Sequence, residues 1–434
     1  MNKLLASELG FLGINVDSNF DLAWLKTEIA DKIREGDQMS IYKLINFARH
    51  SEDPEIRRYA NIIADLYSDK IDNYNYPNKI EEKEAPVEKE YEKAETAQDV
   101  VNAISSVEVG EEVNVEVTSN LDLINGEVKK ITVPEGAVVE VKLDEGVEIA
   151  CESGAFDVQN GGTLTLTGSG TISTNTKKGQ AAVNASGADA KVIIDGVTID
   201  SFTKQGKANN NAYGVYLSND ASLDFKSGVI KTAYGSCIGT NNTTGGSTEI
   251  NISGGELYCD GSYAIYLPAQ GAVNITGGKV QGINARMGKF NISGNAEIIP
   301  TTIDAEGYDD IGKEFKTSGC VWLGDTIAVM AGTYTDTDGT DCEFNISGNA
   351  TVKSDFRSAI GVYAVDTKAA QNVTINVENA DKVSTTDIGS DNIKVYDHAY
   401  ITEAATAAGK AYEPVVDSNI SVKVAGNWIY PVNV

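Results

Sequence analysis

The chain is poor in the side chains from which catalytic centres are built. It holds two histidines, five cysteines and eight prolines among 434 residues, and aromatics make up only 7%. The histidines, His50 and His398, lie far apart in sequence, and no Ser/His/Asp arrangement, phosphate loop or HExxH string can be assembled. No motif calls for a cofactor. The cysteines (Cys151, Cys237, Cys259, Cys320 and Cys342) are odd in number and lack CxxC spacing, which excludes a disulfide framework and a zinc site and predicts buried thiols. No stretch approaches the roughly 20 apolar residues of a membrane span. The opening "MNKLLASELGFLG" imitates a signal peptide, but Glu8 interrupts its apolar run and no small-residue cleavage site follows. The expectation is a retained N-terminus and synthesis in a cytoplasm.

Basic residues are also few, at 35 against 63 acidic ones, for a net charge of −28. Such a surface repels phosphate backbones, so nucleic acid is excluded as a partner, while divalent cations remain compatible. Beyond residue 110 the only arginines are Arg286 and Arg357, too few for a lyase that neutralises substrate carboxylates with arginine. Glycine, by contrast, is abundant at 42, which suits many tight turns.

Composition divides the chain into three parts. Residues 1–75 read as helical: Phe20, Leu22, Leu25, Ile29 and Ile33 share a stripe, "QMSIYKLINFARH" carries a second, and Asp53-Pro54 opens a third helix with an N-cap and a proline at its first position. From 72 to 95 the chain is mostly charged and reads as a solvated neck. A short helix over "AQDVVNAISS" closes this second part, residues 76–109, as a cap on the repeated body of the chain.

From 110 to 434 the period changes to two. "EVNVEV", "TLTLTG", "EINISGG", "AVNITGG", "KFNISGN" and "EFNISGN" each place two apolar residues in alternation before Gly or Asn. The second apolar positions are Leu166, Ile194, Phe225, Ile252, Ile275, Ile292, Ile346 and Ile375. Most steps are 17–31 residues; the 54 from Ile292 to Ile346 reads as two repeats, with "CVWLGD" (320–325) marking a missing rung. Irregular repeats of this length, with Gly/Asn corners, specify stacked coils that bury a continuous core only together. The fold class predicted is mostly β: a right-handed parallel β-helix, roughly 50–60 Å long at the interstrand spacing of about 4.8 Å, behind a small N-terminal helical domain.

Alternation also assigns faces. With Ile250 and Ile252 inward, Asn251 faces outward, as do Asn274, Asn291 and Asn345. Each begins an Asn-x-Ser/Thr triplet, but a cytoplasmic chain is not N-glycosylated, so the row reads as a structural ladder or a glycan-facing surface. A second outward row, Tyr216, Tyr266 and Tyr363, recurs in "AYGVYL", "SYAIYL" and "AIGVYA"; stacked tyrosines stabilise coils or bind sugar rings. Tyr213 and Tyr263 have the opposite parity and are expected inward or at a corner. In "DTDGTD" (336–341), Asp336, Asp338 and Asp341 could converge on calcium, although the spacing is not that of an EF-hand. The carboxylate pairs Asp195/Asp200 and Asp304/Glu306 are conceivable for polysaccharide cleavage but do not stand out from an acidic background. No catalytic residue is assigned.

This organisation resembles fibre and spike proteins of bacteriophage virions, head fibres of tailed phages of gut bacteria first and β-helical tailspikes second. The features that carry the resemblance are the Met1 start, the helical 1–75, the neck, and the coils from "GGTLTLTGSGTI" to "EFNISGNATV". It implies a non-enzymatic structural protein of the virion, a capsid decoration docked through residues 1–75, with host attachment through surface polysaccharide. It also implies a possible homotrimer, in which "NWIYPVNV" (427–434) caps the end or meets a neighbouring subunit. The alternatives are a tailspike-like depolymerase or a bacterial surface adhesin. Against these, the polygalacturonase strings "GHG" and "RIK" and a wall anchor are missing.

Overall fold

The computed structural model describes residues 25, 29, 45, 48, 56–58 and 60 and, from 89 to 430, all except 108, 153, 175–180, 202–212, 234, 241–247, 261–262, 269, 302–323, 330–339, 366–370 and 401–417. The chain divides into two compact units, residues 1–89 and 90–434. In the first, the described residues are helical, and Leu25, Ile29, Ile45, Ala48, Ile56 and Ala60 are buried.

The second unit is mostly β and built from long parallel sheets, the arrangement of a β-solenoid. Each coil contributes strands to three faces. The coil Thr248–Ile252, Glu256–Cys259, Ile265–Leu267 is representative. Each of its strands pairs in parallel with the equivalent strand of the next coil, Gly271–Ile275, Lys279–Gln281 and Ile283–Ala285. The third face is a ten-stranded sheet, whereas the first two are joined by the long strands Lys191–Ser201 and Ser222–Thr232, which run through their shared corner. "SGG" at 253–255 is that corner in the representative coil, between its first and second strands.

The apolar alternation acts as expected. Leu166, Ile194, Phe225, Ile252, Ile275, Ile292 and Ile346 pair rung to rung in one column and are buried. Two expectations are corrected. Ile292 pairs directly with Ile346, and the described strands between them, Glu297–Ile299 and Ile327–Val329, supply one rung to each of the other two faces, so the 54-residue step is one coil. Ile375 stands opposite Phe344, one alternation earlier, and Val377 continues the column.

The neck is shorter than composition suggests. Glu92–Ala94, a charged triplet without apolar period, is the first rung of the first face and pairs with Glu112–Val117. The helix expected over "AQDVVNAISS" is present as Ala97–Ser105. Thr96 caps it by accepting from the Asp99 amide, while the Asp99 carboxylate accepts from the Thr96 amide. Its apolar side, Val100, Ala103 and Ile104, closes the N-terminal end of the core. At the other end Asn427–Tyr430 folds back antiparallel on the last rung, Ser418–Val424, with Lys423 5.5 Å from the Trp428 ring centroid. Among the described residues, no helix is long and apolar enough to cross a membrane.

Candidate functional site

The outward asparagines of the first face form one hydrogen-bonded chain. Asn274 donates its side-chain amide to Asn251 Oδ1 at 2.9 Å, Asn291 to Asn274 at 2.9 Å, Asn345 to Asn291 at 3.1 Å, and Asn376 to Asn345 at 3.0 Å. Asn376 escapes a search for the triplet because Val377-Glu378 follow it, yet it occupies the next rung. The amides all point the same way, so the ladder has a donor end and an acceptor end. At the donor end, Asn251 donates to Asp224, which is paired with Lys191 at 2.7 Å. At the acceptor end, Lys423 stands in register after Asn376. The carboxylate beside the donors matches the dipole of the row. Ser253, Thr276, Ser293 and Ser347 lie beside it, two residues along each coil. The four triplet asparagines are therefore engaged in the fold.

Replacing Asn291 by leucine strands the Asn274 acceptor and one Asn345 donor. We expect a loss of about 1–2 kcal/mol in urea unfolding; an unchanged midpoint would remove the ladder from the account of stability.

The charged groups of the outer faces are paired across rungs. Glu116 meets Lys142 at 2.6 Å, and Glu256 meets Lys279 at 3.2 Å while accepting from Tyr258 Oη at 2.9 Å. The bond from Lys142 lowers Glu116, and the bonds from Tyr258 and Lys279 lower Glu256, below the usual carboxylate range. At Asp224 desolvation pushes upward, but the Lys191 and Asn251 bonds together outweigh it and hold the group below its ordinary 3.8. A depressed carboxylate stabilises the fold above its unfolded value and loses that contribution as pH falls through its folded value. Asp224→Asn should therefore be less stable than the parent at pH 7, with the gap closing below about pH 3.8. Thermal melts across that range check the sign.

The tyrosines are arranged differently from the sequence reading. In the third face the outward row runs Asn184, Tyr216, Gly239, Tyr266, Asn284, Ala328, Gly361. Tyr363 lies two residues further along its strand and pairs with Tyr396, so it belongs to a different column from Tyr216 and Tyr266. Tyr263 is buried, in keeping with its parity. Tyr213, expected inward or at a corner, is half-buried at the first position of the strand Tyr213–Ser218. Its ring stands 5.1 Å from that of Tyr216, tilted by 48°, and covers Gly239, where a Cβ would fall 2.3 Å from Tyr213 Cε1. Glycine at 239 was the available signal, since it opens the space this ring fills.

Of the acidic turn, Asp336 and Asp338 lie outside the described residues. Asp341 is exposed on the strand Thr340–Ile346 and accepts from the Asn372 amide at 2.7 Å. Asp195 accepts from Ser227 Oγ at 2.6 Å; Asp304 and Glu306 are outside the described residues. Among the described residues, no three His, Cys, Asp or Glu side chains gather as a metal site. Cys151, Cys237, Cys259 and Cys342 are free and buried, and Cys320 is not described. Burial pushes the Cys151 thiol up to about 11 and the Cys237 and Cys342 thiols up as well, which leaves them unreactive at neutral pH. No family model, curated protein or solved structure matches the chain, so its function is argued from its own surface.

Proposed function

We propose that this chain is a non-enzymatic fibre of a bacteriophage virion, made in the host cytoplasm and displayed on the capsid. Residues 1–75 serve as a helical docking module, and the solenoid meets host surface glycans. The coil is right-handed, the hand that nearly all crossovers between parallel strands of one sheet adopt.

The observation that carries this reading is the long stack of parallel rungs over a largely apolar interior among the described residues, an architecture suited to length and stiffness. A second observation favours a binding role over cleavage. Glycoside hydrolysis needs one carboxyl held protonated near neutral pH. Among the described residues, the carboxylates with displaced ionisation (Asp99, Glu116, Asp122, Asp224, Glu256, Glu343 and Asp387) are all displaced downward.

Co-sedimentation with virions depleted of the protein tests the docking. The full chain should pellet with the particles, and a chain lacking residues 1–75 should stay in the supernatant. If both chains pellet equally, or neither does, the anchor is misassigned.

A further inference from the structure

We propose that the C-terminal tip of the solenoid is a self-association surface, where Trp428 and Ile429 pack on the same residues of a second copy. The contact is two-fold, joins two chains end to end, and goes beyond the fibre reading.

The two ends of the stack are finished differently. At the N-terminal end the edge strand Glu92–Ala94 carries two charges, and the helix Ala97–Ser105 closes the core beside it. Charge on an edge strand guards against pairing with another chain. The C-terminal end lacks that guard. Among the described residues, Asn427–Tyr430 is paired along one edge only, with Ser418–Val424. These last two strands hold a single charged residue, Lys423. From Val424 to Val434 the sequence has none, in a chain where 23% of residues are charged.

The strand is open on its sides as well. Trp428 is 53% and Ile429 41% exposed, an adjacent pair of large apolar side chains. Lys423 lies over one side of the Trp428 ring, 5.5 Å from its centroid. The pairing shifts between Lys423–Trp428 and Val422–Tyr430, so Ile429 is an extra residue with no partner across the strands. A bulge of this kind re-aims a side chain, and here it leaves Ile429 beside Trp428 without a rung to pack on. Tyr430, by contrast, packs against the core. An exposed tryptophan next to an aliphatic side chain has the composition of an interface centre.

Charge decides what covers it. The chain carries −28, so two copies repel each other along their acidic sides. The last two strands hold no carboxylate side chain, and an end-to-end approach keeps the acidic bodies farthest apart. A two-fold axis through the tip also makes the surface its own complement. Trp428 of each copy meets Ile429 of the other, and the contact closes at two chains.

The test is sedimentation velocity of the full chain from about 1 to 300 µM, with solution scattering on the same samples. A monomer–dimer equilibrium is expected, with a dissociation constant on the order of tens of micromolar for so small a contact. The maximum dimension of the dimer should be close to twice that of the monomer. Raising the salt should strengthen the dimer by screening the repulsion. Trp428→Lys and Ile429→Lys should each weaken it roughly tenfold or more. Val109→Lys, at an exposed apolar residue between the capping helix and the strand Glu112–Val117, should leave it unchanged. If circular dichroism shows that Trp428→Lys disturbs the fold, Ile429→Lys decides alone. A monomer at every concentration, a trimer, a dimer no longer than the monomer, or a dimer that both lysine variants retain would each overturn the proposal. Virion co-sedimentation reads the fibre assignment separately. Particles that bind a strictly monomeric chain sink this contact alone, and a dimer that ignores particles sinks the fibre reading alone.

Discussion

Replacing Phe344 by alanine should lower the stability of the solenoid by about 3–5 kcal/mol, the range for deleting a buried aromatic. Phe344 is fully buried and stacks on Phe290 of the preceding rung, with ring centroids 4.3 Å apart and planes within 2° of parallel. The two rings are 54 residues apart in sequence and face each other because their strands, Gly288–Ile292 and Thr340–Ile346, are adjacent rungs of one face. Truncation leaves a cavity in a core that cannot collapse, since the backbone rungs on either side hold their separation through main-chain hydrogen bonds. Phe344→Leu, which keeps much of the volume, should recover most of the loss. Urea unfolding followed by far-ultraviolet circular dichroism reads both. A loss below about 1 kcal/mol for the alanine variant would mean that the rings are not in contact.

The second large effect is expected at Gly278, in the corner where "NITGG" turns. Its φ is +82°, and a Cβ would lie 2.6 Å from the Gly255 carbonyl oxygen and 2.7 Å from the Gly254 carbonyl carbon of the rung before. Those are backbone atoms, so neither can swing aside, and an alanine there must push two rungs apart. The conformational cost alone is about 1–3 kcal/mol, to which the clash is added. Gly146 supplies the control: its φ is +79°, but nothing lies within 4 Å of where its Cβ would stand. Gly146→Ala thus costs the conformational part only. The difference between the two thermal midpoints isolates the rung contact, and equal midpoints would contradict the stacking at this corner.

The parity of the strands was legible in the sequence, and much of their register was not. Alternation placed Ile250, Ile252, Ile275, Ile292 and Ile346 inside and the asparagines outside, because a period of two leaves one assignment once a single apolar residue is fixed. Register depends on which residue stands above which, and insertions hide it. The step from Ile292 to Ile346 looked like two coils because chain length between rungs does not reveal whether the chain stays in the stack. Tyr363 was matched to Tyr216 through the shared phrase "VY", whereas the strands align Ile360 with the rung positions of Ile265 and Val215. That shift of two preserves parity and changes the column. Glu92–Ala94 carried no signal at all: a three-residue edge strand of Glu, Lys and Ala has no apolar period, and charge at a sheet edge discourages pairing with other chains. Tyr213 illustrates the same limit at the candidate site. Its parity suggested the interior or a corner, and only the missing side chain of Gly239 on the neighbouring rung gives its ring a place outside.

Electron cryomicroscopy of virions produced with and without this protein addresses the central claim most directly. Thin rods, roughly 50–60 Å long at about 4.8 Å per rung, should stand on the capsid of the complete particles and be missing from the depleted ones. Identical particles in the two preparations, or rods that persist when the protein is absent, would contradict the fibre assignment.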